Sequence, residues 1–251
     1  MRIDSIMGRS HFTILLAALL FLGCGGGPGV PERAAFASGW SVEETPHFRV
    51  YEPPDSPRVG YLKDFGASCE SVYEQLVRLL NVETEQKIQV YRFITSQDCV
   101  AATGQPAGFV DRYTIYTRIG APMGGAIALA ACTSIDPDAR PATILRDGLR
   151  LAFDSQSNNI HQETSILRGE GRWIPLADLM TGAAGKDEEV YNAESASFVA
   201  YLIQRHGIDR FKMAWKSTLE AGPSFEKIYS GTLQEIEDDW IAHLEREAKR
   251  S

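Results

Sequence analysis

The sequence predicts an α+β fold: a small N-terminal sheet with helices, followed by a mainly helical C-terminal half. Three observations lead there. Residues 47–53, 87–93 and 113–119 alternate in polarity with a period of two. Between the first two of these stretches, apolar residues recur in steps of three and four. Beyond residue 140, helix signals follow one another with no further alternating stretch.

"HFRVYEP", residues 47–53, sets Phe48 and Val50 against His47, Arg49 and Tyr51, and Pro53-Pro54 ends the strand. From Pro57 to Leu80 the apolar stripe of a helix runs through Val59, Leu62, Phe65, Cys69, Val72, Leu76 and Leu79. "KIQVYRF" (87–93) is the second strand, and Ser96 is placed to cap a short helix reaching Gly104. "YTIYTRI" (113–119) is the third strand. "PATILRDGLRLAF" (141–153) opens with Pro in the first helical turn, where its missing N–H has no partner to lose. "EEVYNAESASFVAYLIQRHG" (188–207) ends in a glycine suited to a left-handed cap. Tyr201, Phe211, Met213 and Trp215 fall at helical spacing and read as core. "TLQEIEDDWIAHLEREAKR" (232–250) opens with the capping box Thr232-x-x-Glu235 and closes in a basic turn. No internal repeat and no second domain is visible.

The first residues read as a leader. Arg2 and Arg9 precede the apolar run "FTILLAALLFLG", Phe12 to Gly23, which is short for a membrane span and is followed by Cys24. "FLGC" resembles a bacterial lipobox, which makes residues 1–23 a lipoprotein signal peptide and Cys24 the lipidated first residue of the mature chain. Met7 could equally be the start. Gly25, rather than Asp, follows the cysteine, and the resemblance to diderm lipoproteins then implies the outer membrane, facing the periplasm. Residues 24–39 are rich in Gly, Pro and Ala and read as a flexible tether, leaving residues 40–251 as the folded domain. The chain has 25 Lys and Arg against 33 Asp and Glu, and lacks the basic face that a nucleic-acid binder requires. The membrane, reached through the lipid on Cys24, and a peptide or envelope protein are the expected partners.

Export permits disulfides, and the three remaining cysteines, Cys69, Cys99 and Cys132, allow at most one internal bridge. Cys99 with Cys132 is the expected pair. No cysteine lies in a C-x-x-C. Ser224-Phe-Glu-Lys227 fits S-x-x-K, but its partner motifs S-D-N and K-T-G are missing, so Ser224 more simply starts a helix after Pro223. His206, just before Gly207, reads as a cation at a helix C-terminus, and "NNIHQETS" around His161 as a polar loop.

The order of segments carries more than any one of them. "HFRVY", a long helix, "KIQVYRF", Ala107-Gly108, Asp147-Gly148, "PLADLM" and "YNAESASFVAYLIQRHG" follow one another over residues 40–248. This order resembles the peptidase-MA-like, gluzincin-type metallopeptidase domains of exported bacterial proteins. The resemblance implies a zincin-like fold. In that family a helix carries H-E-x-x-H, whose two His reach one zinc while the Glu polarises its water. The third ligand, an acidic residue before Gly, comes from the next helix.

Counting back from Asp147-Gly148 places the motif on "GGAIALAA". The first His falls on Gly125, the Glu on Ala126 and the second His on Leu129, while Asp147 stands for the third ligand. None of the three helix positions carries a donor atom. The resemblance therefore implies a degenerate pseudo-peptidase with no catalytic residue, metal or cofactor. Its small residues suit either tight packing in a vacated pocket or a groove, near Asp147 and Tyr191, that receives an extended peptide. The alternative is a zinc-dependent hydrolase with atypical ligands drawn from Asp147, His161 and Glu163. A purely structural domain is a third reading.

Overall fold

The polarity pattern of the N-terminal third builds a five-stranded mixed sheet, in a computed structural model that describes residues 34–56, 61–154, 159–217 and 223–249. A 3-10 turn, Ala35–Ala37, leads into β1 (Ser41–Glu44) and β2 (Phe48–Glu52), followed by α1 (Leu62–Leu80), β3 (Ile88–Phe93), α2 (Ser96–Thr103), β4 (Phe109–Asp111) and β5 (Thr114–Arg118). Helices then follow without interruption among the described residues: α3 (Gly124–Cys132), α4 (Thr143–Asp154), α5 (Ile160–Gly169), α6 (Leu176–Leu179), α7 (Glu188–His206), α8 (Ile208–Lys216), α9 (Pro223–Tyr229) and α10 (Leu233–Ala248). The class is α+β, as predicted. Cys24, the leader and the first part of the tether lie outside the described residues, as do Pro57–Gly60 of the expected first helix and the side chain of Ser224.

The sheet order is β1-β2-β3-β5-β4, with β2, β3 and β5 parallel and both edge strands antiparallel to their neighbours. One face presents Phe48, Val50, Ile88, Val90 and Ile115 to the main core, which α1 and the later helices complete. Glu52 and Arg92 lie on the same face, ion-paired and nearly out of reach of water, with the Arg92 guanidinium 3.8 Å from the centre of the Phe65 ring. Losing either partner alone would strand a buried charge, which costs about 3–5 kcal/mol.

The opposite face is aromatic. Tyr51, Tyr91 and Tyr116 stack across three strands with ring centres 4.6 and 5.7 Å apart. Phe36 and Trp40 close over them, Ala37 and Cys99 are fully buried beside them, and the Ala34 N–H donates to the Tyr91 hydroxyl at 3.0 Å. Residues 34–39, expected as tether, are thus part of the packed body. That explains why Tyr51, predicted on the polar side of its strand, is buried.

Several local expectations change in detail. The cap of α2 is Thr95, one residue earlier than Ser96, in a full capping box with Asp98. Most of "NNIHQETS" (158–165), read as a polar loop, lies instead in α5, because Thr164 and Leu167 turn inward while Glu163 and Ile166 face out. Met213, expected in the core, is 56% exposed, whereas Tyr201, Phe211 and Trp215 are buried. Leu79 is likewise exposed, and Leu80 takes the inward position. Gly207 has φ 83 but ψ 159, so the chain leaves α7 extended and turns directly into α8. The capping box at Thr232 and Glu235 forms as expected.

The expected Cys99–Cys132 bridge is absent: all three described cysteines are buried free thiols. Cys99 belongs to the aromatic face, and Cys132 to the main core beyond the sheet. Both described hydrophobic clusters are built from within the compact unit Arg33–Ser251, which therefore holds its own core.

Candidate functional site

Helix α3, "GGAIALAAC", is apolar on every side and is correspondingly buried on nearly every side. Its glycines explain how closely it packs. A methyl group added to Gly125 would stand 2.7 Å from the carbonyl carbon of Arg150 and closer still to its oxygen; one on Gly124 would meet Phe153 in the same way. Helix α4 repeats the device on its far side. A methyl on Gly148 would stand 2.9 Å from the Ser195 carbonyl carbon and 2.6 Å from a Val199 methyl. Helices α3, α4 and α7 therefore meet backbone to backbone, and the space that side chains at 125 and 148 would need is already occupied.

The positions singled out in the sequence now have places. Gly125 is sealed against α4. Ala126, 5% exposed, borders a small cavity of about 220 Å³ with Gly108, Arg118, Arg150 and Asp154. There the Asp154 carboxylate accepts the Gly125 N–H at 2.8 Å, an anion at the N-terminus of α3, and burial pushes its pKa up against that bond and against Arg150. Leu129 lines a larger cleft of about 600 Å³, bounded by β4, the 133–141 connection, Arg146 and Trp215.

The rim of that cleft is polar and of mixed charge. Arg112 pairs with Asp138 at 3.1 Å, and Arg140 and Arg146 complete a cationic side. Arg112 has φ 49, a left-handed conformation costly for a residue with a side chain. Thr133, one turn beyond Leu129, holds it there by donating to the Arg112 carbonyl at 3.2 Å.

Asp147 and Tyr191 stand together. The Tyr191 hydroxyl donates to Asp147 Oδ2 at 3.1 Å, and Arg146 lies 3.9 Å from the other carboxylate oxygen. Tyr191 is 2% exposed, and burial followed by the neighbouring Asp147 charge pushes its pKa up to about 12. It remains a neutral donor.

His161 is elsewhere. Its Nδ1 is hydrogen-bonded to Ser197 Oγ at 2.9 Å, Trp240 donates to the same hydroxyl at 3.1 Å, and the His243 ring lies edge-on at 4.7 Å. Burial, followed by the nearby His243 charge, lowers the His161 pKa. Glu163 faces outward on α5. Among the described residues no three His, Cys, Asp or Glu side chains form a group that could hold a metal. A zinc ion does not fit the positions that the resemblance assigns to it. Gly125, Ala126 and Leu129 offer no donor atom, and a side chain at 125 would collide with the Arg150 backbone. His206, expected as a helix-end cation, has its pKa lowered by burial and then by Arg210 and Arg205, and it packs between Tyr201 and Tyr229.

One buried acid escaped the sequence reading. Glu194, fully buried in α7, accepts the Ile174 N–H at 3.1 Å. Glu237 of α10, 7% exposed, takes the Trp173 indole N–H at 3.0 Å. Burial, reinforced by Glu237, pushes the Glu194 pKa up to about 8. The available signal was a lone acid among the small and apolar residues of "AESASFVAYL".

No family model matches the chain, and no curated protein or solved structure matches it. Among the described residues no helix is long and apolar enough to cross a membrane.

Proposed function

We propose that the chain is a cell-envelope protein, anchored in the outer membrane through lipid on Cys24, whose zincin-like domain has a binding or scaffolding role in place of peptidase chemistry. The observation that carries this reading is the filling of the motif helix. At Gly125 the two helices that would present zinc ligands are packed backbone to backbone, while an open cleft of about 600 Å³ remains beside Leu129. The α+β layout and the contact of α3 with α4 support a relation to the gluzincin-type domains. The mixed charge around the cleft and its apolar floor of Val110, Leu129 and Trp215 suit an extended peptide or a loop of an envelope protein.

The test is made on the full chain purified from membranes without chelators or metal-binding tags. Trace zinc, no hydrolysis of casein, and loss of the protein from the membrane fraction on Cys24→Ser are the expected results. Near-stoichiometric zinc, or hydrolysis abolished by Asp147→Asn or His161→Gln, would establish the hydrolase reading instead.

A further inference from the structure

A second groove, remote from the motif helix, lies where α5 crosses the start of α7. Its volume is about 530 Å³. Its floor is aliphatic: Leu151 from α4, Ile160, Ile166 and Leu167 from α5, and Ala193 and Ala196 from α7. Ile166 is 55% exposed there, an apolar side chain held up to water in the middle of an apolar strip.

The rim has one dominant sign. Among the described residues that line it, Glu163, Glu170 and Glu189 stand against one cation, Arg172. That cation is already engaged, with Arg172 Nη2 2.8 Å from Asp187 and 2.7 Å from Glu189, and its Nη1 3.9 Å from Glu170. Three glutamates against one arginine leave the described rim with a net negative charge, so a ligand carrying acidic groups would be repelled. One carrying ammonium or guanidinium groups beside aliphatic side chains would satisfy both floor and rim.

We propose that this groove docks a cationic amphipathic segment of a partner protein, with aliphatic residues on the Ile166 floor and Lys or Arg against the glutamate rim. The proposal is independent of the role given to the cleft beside Leu129. Helix-in-groove recognition supplies the mode: the apolar stripe of the ligand gives affinity, and the charges give orientation and rate.

The test uses the segment from Arg33 onward and a synthetic Leu/Lys amphipathic peptide of about five helical turns. Two counterparts serve as controls, one with Glu for Lys and one with Ser for Leu. Titration calorimetry should give micromolar binding of the Leu/Lys peptide only, weakening as salt is raised. Ile166→Asp, and separately Glu163→Lys with Glu170→Lys, should each weaken binding by about tenfold or more. Glu83→Lys with Glu85→Lys, which makes the same change of net charge at a remote loop, should leave it unchanged. Ile166 is exposed, so its variant should keep the parent melting curve, and the charge variant offers a second reading if it does not. Equal binding of either control peptide, indifference to both groove variants, or equal weakening by the remote variant would overturn the proposal. A dimer abolished by Ile166→Asp would assign the groove to a second copy of the chain, and would overturn it too.

Discussion

The Tyr191 hydroxyl donates to Asp147 Oδ2 at 3.1 Å and ties α7 to α4 across the face where Gly148 brings the two helices together. The acid that the sequence resemblance sets in the place of a third metal ligand has its hydrogen bond inside the fold. Tyr191→Phe removes the donor while keeping the ring. It should cost about 1 kcal/mol, or roughly 2–4 °C in melting temperature. Asp147→Ala should cost a similar amount, and the double variant no more than the worse single. Fully additive losses in thermal melts would show that the two side chains act separately.

The helix contacts at glycine make a sharper expectation. Gly125→Ala and Gly148→Ala each force a methyl into a neighbouring backbone and should destabilise by about 2 kcal/mol or more. Gly169, at the end of α5, has open space around it and ordinary φ, so Gly169→Ala should stabilise by up to about 1 kcal/mol. Chemical denaturation of the three variants checks both signs at once. For the same reason, Gly125→His should unfold the domain before it supplies a ligand.

Stability should depend on pH through Glu194. Its folded pKa of about 8 lies above the ordinary 4.5, so the folded state binds the extra proton. Its contribution is fully present below pH 4.5 and is lost as pH rises through 8. His161 acts in the opposite direction. Its lowered pKa means stability falls as pH drops below about 6.5. Glu194→Gln keeps an acceptor for the Ile174 N–H and removes the charge, so it should flatten the decline between pH 5 and 8 seen in the parent. Parallel melting-temperature profiles for both proteins would sink the assignment.

The thiols should be silent in the native state. Cys69 and Cys132 are buried in the main core, and burial pushes both pKa values up to about 12. In the segment from Arg33 onward, a thiol reagent such as Ellman's should label three cysteines only after denaturation, and reductant should not move the melting temperature. Rapid native labelling, or a loss of stability on reduction, would contradict the buried free thiols.

Legibility from sequence followed the physics of each element. Helices α1, α7 and α10 were visible because a long apolar stripe, an acidic start or a capping box is written locally. Strands β1 and β4 were not: β1 has four residues that alternate between half-buried and exposed, and β4 has three. Helix α5 was hidden because its inward positions include Thr164, whose hydroxyl donates to the Ile160 and Ala193 carbonyls. The segment 34–39 looked like tether because its composition is loose, while the Phe36 ring finds its partners only on the finished sheet. At the site, the loss of donors at Gly125, Ala126 and Leu129 could be counted from the chain. The nearness of Tyr191 to Asp147 was anticipated, but not the hydrogen bond between them; the placing of Glu194 near Glu237 depends on helices brought together from distant sequence and could not be read.

The seating of Phe36 and Trp40 on the tyrosine face also sets the order in which the domain would give way under tension. A pull arriving along the chain from before residue 34 first meets the Ala34–Tyr91 hydrogen bond, then the Phe36 ring, then the Trp40 ring, and only afterwards β1 at the sheet edge. Detaching these seven residues would release roughly 24 Å of extended chain before any strand is loaded. The aromatic seat is therefore a slack reserve, the first part to yield and the one whose yielding leaves the sheet intact.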